Sequence, residues 1–88
     1  MRLSVAAIEV LALVAYRQPT TLRSIDAVRG VDSGPIVRQL RRRNLIELAP
    51  PDESEDRSER FKTTKRFLQL FQLTSLDDLP RAQDLEKA

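Results

Sequence analysis

The sequence predicts a mainly α-helical domain with a small β-hairpin (α+β), and three observations carry that prediction. Apolar residues recur at helical spacing in four segments. A glycine-containing turn separates the second segment from the third. Two short stretches, 45–48 and 61–63, lie on either side of an acidic loop. The side chains of the first alternate in character as in a strand, and the second could form the strand that pairs with it. Three helices, a hairpin and a fourth helix follow one another in the order of a winged helix-turn-helix, with the loop as its wing.

The first predicted helix begins after Ser4, which can cap it, and ends near Arg17, because Pro19 cannot continue it. On a helical wheel the inward face consists of Ile8, Leu11, Ala12 and Ala15. The opposite stripe consists of Ala6, Val10, Leu13 and Arg17. A small domain has one core, so an apolar stripe on the second side of a helix predicts contact with another part of the chain or with a partner.

The second and third helices form the predicted helix-turn-helix pair. Thr20 or Thr21 caps the second helix, which covers residues 22–28, and Gly30 supplies the left-handed turn. Ser33 caps the third helix, with Pro35 in its first turn. The residues predicted to face inward are Leu22, Ile25, Val28, Ile36, Val37 and Leu40. The third helix presents Arg38, Arg41 and Arg42 outward and ends at Asn44, which tolerates a left-handed conformation.

The fourth predicted helix follows the hairpin and is capped by Thr63 or Thr64. Its inward residues are Phe67, Leu70 and Phe71, and its outward residues are Lys65, Gln69 and Gln72. A capping box at 75–78 opens one further turn. The sequence therefore predicts one winged-helix domain over 1–80 and a flexible C-terminal tail over 81–88.

Composition argues against an enzyme. The 88 residues contain no His and no Cys, so the commonest general base, the commonest metal ligand and any thiolate nucleophile are absent. The acidic pair Asp77 and Asp78 is explained by helix capping. No catalytic residue, cofactor or metal site is predicted. The longest apolar run, 10–15, is too short to cross a bilayer, which predicts a cytoplasmic protein.

Charge is distributed unevenly along the chain. Residues 1–50 carry 8 basic and 4 acidic side chains, whereas residues 51–60 carry 2 basic and 5 acidic ones. An arginine-rich third helix is thus followed by an acidic wing. Because carboxylates oppose the approach of phosphates, this pattern does not favour specific binding of DNA.

Three blocks of residues form a specific combination: Ala-Tyr-Arg-Gln-Pro at 15–19, Arg-Gly-Val at 29–31, and Ser-Leu-Asp-Asp-Leu-Pro at 75–80. With the segments that surround them, they resemble the C-terminal half of the segregation and condensation protein B family, in order and at the same spacing. The resemblance covers most of the chain. The wing departs from the family pattern, because it is acidic where the family is rich in Gly, Arg and Pro, and Lys62 stands where the family has Gly.

The resemblance implies a non-enzymatic accessory subunit of the bacterial SMC condensin complex, acting in chromosome condensation and segregation at the nucleoid. Such proteins have two winged-helix domains, form homodimers largely through the N-terminal one, and bind the kleisin subunit, ScpA, and through it SMC. The resemblance implies that this chain corresponds to the second winged helix. We expect it to be a piece of a longer protein, and a naturally short protein is the alternative.

Two surfaces are candidate binding sites. The first is the outward stripe of the first helix, where Val10, Leu13 and Arg17 are predicted to contact the kleisin, with Lys65 and Gln69 of the fourth helix bordering the same groove. The alternative for this stripe is burial beneath the fourth helix or the C-terminal turn. The second surface, Arg38, Arg41 and Arg42, would bind DNA in the alternative function. Its competing interpretations are a solvated helix C-terminus, where cations are favoured, and contact with acidic residues of a protein partner.

Overall fold

Four helices and three short strands make up the domain in the computed structural model, which describes residues 3–54 and 56–71. The elements are α1 (Val5–Arg17), β1 (Thr20–Thr21), α2 (Leu22–Arg29), α3 (Gly34–Arg42), β2 (Ile46–Leu48), β3 (Arg60–Thr63) and α4 (Lys65–Leu70). The predicted order of three helices, a hairpin and a fourth helix is confirmed. The predictions for Gln72, for the capping box at 75–78 and for the tail at 81–88 lie outside the described residues.

The three strands form one antiparallel sheet in the order β1–β3–β2. In the hairpin Ile46 pairs with Thr63, and on the other side of β3 Thr20 pairs with Phe61. The sequence predicted the hairpin but not β1. Thr21 belongs to this strand and also caps α2, because its Oγ1 accepts a hydrogen bond from the Ser24 N–H at 3.1 Å.

Helix caps account for most of the predicted boundaries. Ser4 Oγ accepts from the Ala7 N–H, and Thr64 Oγ1 accepts from the Phe67 N–H, both at 3.1 Å. Gly30 ends α2 with a φ of 73°. Side-chain capping of α3 by Ser33 is a wrong prediction, because the Ser33 hydroxyl instead accepts from Arg29 Nη1 at 2.8 Å.

Helix α1 lies at the centre of the domain and contacts α2, α3 and β3. Because neighbours surround it on several sides, its buried face is wider than one stripe. Val10 is 0 % exposed and belongs to the core, so its predicted place on an outward stripe is wrong. Ile8, predicted to face inward, is only half-buried. The core consists of Ala7, Val10, Leu11, Val14, Ala15, Ile25, Val37, Leu40, Leu45, Ile46, Phe61 and Phe67.

Three other residues predicted to face inward are exposed. Val28 lies at the end of α2, where the chain leaves the core to form the turn to α3, and it is 49 % exposed. Leu70 and Phe71 lie at the end of α4 and are also exposed. Within α4 the inward side consists of Phe67, which is buried, and Leu68, which packs against the core from a half-buried position. A helix of six residues offers little more than one turn for burial.

Two side chains hold the base of the hairpin against the helices. Gln18, just after α1, accepts hydrogen bonds through Oε1 from the Thr63 N–H at 2.8 Å and from the Thr63 hydroxyl at 3.1 Å. Thr64 donates its hydroxyl to the Asn44 carbonyl at 2.7 Å. Asn44 has a φ of 58°, which confirms the predicted left-handed position at the end of the third helix. The hairpin is therefore fixed to α1, α3 and α4 at its base.

Candidate functional site

The exposed side of α1 is the first candidate surface. We call it the α1 outer face and define it by Val5, Leu13, Tyr16 and Arg17. Val5 and Tyr16 are 69 % and 47 % exposed, Arg17 is exposed, and Leu13 is half-buried and packs against the core. Leu13 and Arg17 lie one helical turn apart, as the sequence predicted. Val10 has no surface on this face.

Sequence reasoning did not place Tyr16 on this surface. Its spacing of three residues from Leu13 puts the two side chains on the same side of the helix. A tyrosine combines a large apolar ring with a polar tip, and this residue type is enriched in protein interfaces. The spacing of Tyr16 from Leu13, together with its residue type, could have identified Tyr16 from the sequence as part of this surface.

Lys65 and Gln69 lie one turn apart on the exposed side of α4, as predicted. They are on a different helix from Leu13 and Arg17, and no hydrogen bond or ion pair between described residues joins the two pairs. The two helices share the core, because Val14 of α1 and Phe67 of α4 belong to the same buried cluster. Among the described residues, Lys65 and Gln69 are thus not bonded to Leu13 or Arg17, although both helices bury their inner sides in one core.

The second candidate surface is the arginine face of α3, defined by Arg38, Arg41 and Arg42. All three side chains are exposed, as predicted, and they line a shallow depression of about 370 Å³. The Cζ atom of Arg41 lies 5.8 Å from the centroid of the Phe61 ring, a cation–π distance. This contact orients Arg41 next to β3, the strand that returns from the wing.

The wing, residues 49–59, has a network of short-range hydrogen bonds. The Ala49 N–H donates to the Arg60 carbonyl at 2.7 Å and closes the loop. Asp52 pairs with the Arg60 guanidinium and accepts from the Ser54 N–H at 2.9 Å, and these contacts hold the pKa of Asp52 well below its usual value. Asp56 accepts from the Ser58 N–H at 2.8 Å, and hydrogen bonds to Ser58 lower the pKa of Asp56.

Replacing Arg60 by Gln is expected to raise the pKa of Asp52 toward its ordinary value of 3.8, because the guanidinium is the strongest stabiliser of the ionised carboxyl. NMR titration of the Asp52 side-chain carboxyl carbon measures this change. Arg57→Gln is the matched control, because Arg57 is an exposed wing arginine for which no ion pair is found among the described residues. An unchanged Asp52 titration in Arg60→Gln would contradict the contact.

A polar network joins α1 to the helix-turn-helix pair. Arg29 Nε lies 3.3 Å from Glu9 Oε2, and Arg29 Nη1 donates to Ser33 Oγ at 2.8 Å. The Ser33 N–H in turn donates to Asp26 Oδ1 at 2.7 Å. Ser33 is fully buried, so the network satisfies its hydroxyl and fixes the angle between α2 and α3.

Residues 3–54 and 56–71 contain no group of three or more Asp or Glu side chains arranged to hold a metal ion. No helix in that part is long and apolar enough to cross a membrane.

Solved structures share the fold. ScpB from Mycobacterium tuberculosis superposes with a TM-score of 0.77 at 42% sequence identity, covering 84% of this chain and 46% of that one. A variant of ZitR from Lactococcus lactis superposes with a TM-score of 0.66 at 17% identity, covering 82% of this chain and 50% of that one. The second likeness concerns the fold alone, and both support the winged-helix architecture.

Sequence comparisons show the family. Segregation and condensation protein B from Syntrophotalea carbinolica is 42% identical over 83 residues, covering 94% of this chain and 42% of the relative. The protein of the same name from Oceanobacillus iheyensis is 48% identical over 79 residues, covering 90% and 41%. The chain thus spans less than half the length of these relatives. The family model for the segregation and condensation complex subunit ScpB matches residues 1–82, and the chain belongs to this family.

Proposed function

We propose that this domain binds the kleisin subunit, ScpA, of the bacterial SMC condensin complex as the second winged helix of a dimeric, non-enzymatic accessory subunit. Its role is to hold the central segment of the kleisin, and through it to support SMC in chromosome condensation and segregation in the cytoplasm, at the nucleoid. Membership of the ScpB family supports the assignment of this domain to the segregation and condensation complex. The homodimer would form through an N-terminal domain outside this sequence.

The observation that carries the proposal is the pair of solvent-accessible apolar side chains, Leu13 and Tyr16, on the α1 outer face. Leu13 packs partly on the core and partly faces solvent, with Tyr16 exposed beside it. An interface of moderate strength needs a desolvated apolar centre with polar groups around it. Leu13 and Tyr16 form such a centre, and Arg17 lies at its edge.

An amphipathic helix fits this surface, because apolar side chains at helical spacing can lie over Leu13 and Tyr16. Arg17 on α1 and Lys65 on α4 are cations, so we propose that the bound segment carries carboxylates beside its apolar residues. Lys65 and Gln69 then extend the surface onto α4.

Leu13→Asp is expected to weaken binding of the central kleisin segment at least tenfold, because a carboxylate would replace the apolar centre of the interface. Isothermal titration calorimetry measures the affinity, and circular dichroism checks that the domain remains helical. Arg17→Glu is a second test at an exposed position outside the core, where substitution is expected to leave the core intact. We expect it to weaken binding severalfold by reversing a charge at the edge.

Val28→Asp is the matched control, since Val28 is an exposed valine at the end of α2, on a helix outside the proposed surface. It is expected to bind the kleisin segment as the unsubstituted chain does. Equal affinity of all variants would contradict the proposed surface, and absence of saturable binding by the unsubstituted domain would contradict the proposed function. Lys65→Glu tests whether the α4 residues belong to the same surface.

A further inference from the structure

The arginine face of α3 is an exposed cluster of like charges that the proposed function does not use. Arg38, Arg41 and Arg42 are spaced three and four residues apart, so their guanidinium groups lie on one side of the helix. No carboxylate forms an ion pair with any of them among residues 3–54 and 56–71. The positive charges in such a cluster repel one another, so binding of an anionic ligand lowers their electrostatic free energy.

The wing does not neutralise this cluster. Asp52 is paired with Arg60 of the wing's own returning strand, and Asp56 is held by Ser58. Glu53 and Glu59 are exposed and have no ion pair in the part of the chain that the structure describes. Because Arg41 lies over Phe61, the residue that follows Arg60, the wing and the arginine face are neighbours of opposite charge.

The lining of the arginine face indicates the chemical class of the ligand. Among the described residues, the depression is lined by the three arginines. A protein partner needs an apolar centre, whereas a nucleic-acid backbone needs only cations placed to meet phosphates. The guanidinium fork matches phosphate oxygens in two-bond geometry.

We propose that the arginine face binds the phosphate backbone of duplex DNA without base specificity, and that the acidic wing lowers the affinity by repulsion. The one amide side chain within α3, Gln39, is half-buried, so α3 has no fully exposed amide to contact adenine edges. Backbone contact by three arginines gives weak, salt-sensitive binding. This activity uses a different surface from kleisin binding and does not depend on it.

Fluorescence anisotropy of the full 88-residue chain with a labelled duplex of about 20 base pairs tests the proposal across salt concentrations. Three phosphate contacts predict that log K falls with log salt with a slope of about −2.7. Arg38→Gln, Arg41→Gln and Arg42→Gln are each expected to reduce the steepness by about 0.9.

Lys62→Gln is the matched control for net charge. Lys62 follows Phe61 in β3, so its side chain lies on the opposite face of the sheet from the ring that Arg41 contacts. It pairs with Glu47 at 3.4 Å. This variant loses the same single charge as Arg41→Gln but is expected to leave the salt slope unchanged.

Glu53→Gln combined with Glu59→Gln tests the wing, and we expect DNA to bind at least twofold more tightly to this variant because repulsion is removed. Tighter binding with an unchanged slope supports the proposal, and unchanged affinity overturns the role of the wing. Loss of binding in Lys62→Gln equal to that in Arg41→Gln overturns the role of the arginine face.

Three other results overturn DNA binding itself. The first is no saturable binding at about 50 mM salt. The second is equal affinity for a poly-glutamate peptide of similar charge, which would make acidic protein the ligand. The third is a molecular mass of the protein that increases with protein concentration in the absence of DNA, if Arg41→Gln abolishes this increase. That increase would show that the acidic wing of a second copy occupies the arginine face.

Discussion

Val10→Asp is expected to leave the domain without a cooperative unfolding transition. Val10 is fully buried among apolar side chains of the core. A carboxylate there would lose its hydration without gaining a partner, a cost of several kcal/mol that is comparable with the whole stability of a domain of this size. Circular dichroism during thermal and urea unfolding measures the effect.

Two companion variants test whether the effect of Val10→Asp comes from burying a charge or would follow any substitution in α1. Val10→Ala removes apolar volume without adding charge and is expected to cost about 2 kcal/mol while keeping a cooperative transition. Leu13→Asp, three residues along α1 and half-buried, is expected to remain folded. A Val10→Asp domain that unfolds at the same midpoint as the unsubstituted chain would show that Val10 lies at the surface and would restore it as a contact residue.

Phe67→Ala is expected to lower the free energy of unfolding by about 3–5 kcal/mol, the usual effect of removing a buried aromatic ring. Phe67 is 1 % exposed and is the one α4 residue that is fully buried in the core. A helix of six residues has little intrinsic stability, so its position depends on this ring and on the Thr64 cap.

Phe71→Ala is the matched control for the same side chain on the same segment. The Phe71 ring lies 5.1 Å from the Phe67 ring, measured between centroids, but Phe71 is 42 % exposed. Its removal is expected to cost about 1 kcal/mol, the size of an aromatic pair contact. Urea unfolding compares the two variants, and equal losses of stability would contradict the central place of Phe67 in the core.

Local signals made the helices predictable. Ser4 and Thr64 accept hydrogen bonds from residues three positions on, and Gly30 and Asn44 adopt positive φ angles that few residues tolerate. These features depend on neighbours in sequence. Strand β1 could not be found in the same way, because its two residues pair with β3 about forty positions later in the chain.

The candidate surfaces were predictable in part for a related reason. Charged and polar positions such as Arg38 and Lys65 lie outward because burial of an unpaired charge is costly. An apolar residue carries no such signal. Val10 and Leu13 look alike in a helical pattern, and only the packing of α2, α3 and β3 around α1 decides that Val10 is buried and Leu13 half-exposed.

The hydrogen bond from Ala49 to Arg60 separates the wing from the rest of the domain. In the part of the chain that the structure describes, the side chains that hold the base of the hairpin to the helices, Gln18 and Thr64, lie on the other side of that closure. Doubling the length of a flexible loop costs about 0.6 kcal/mol of closure entropy. The wing is therefore a segment in which length and charge can change between related proteins while the rest of the architecture stays the same.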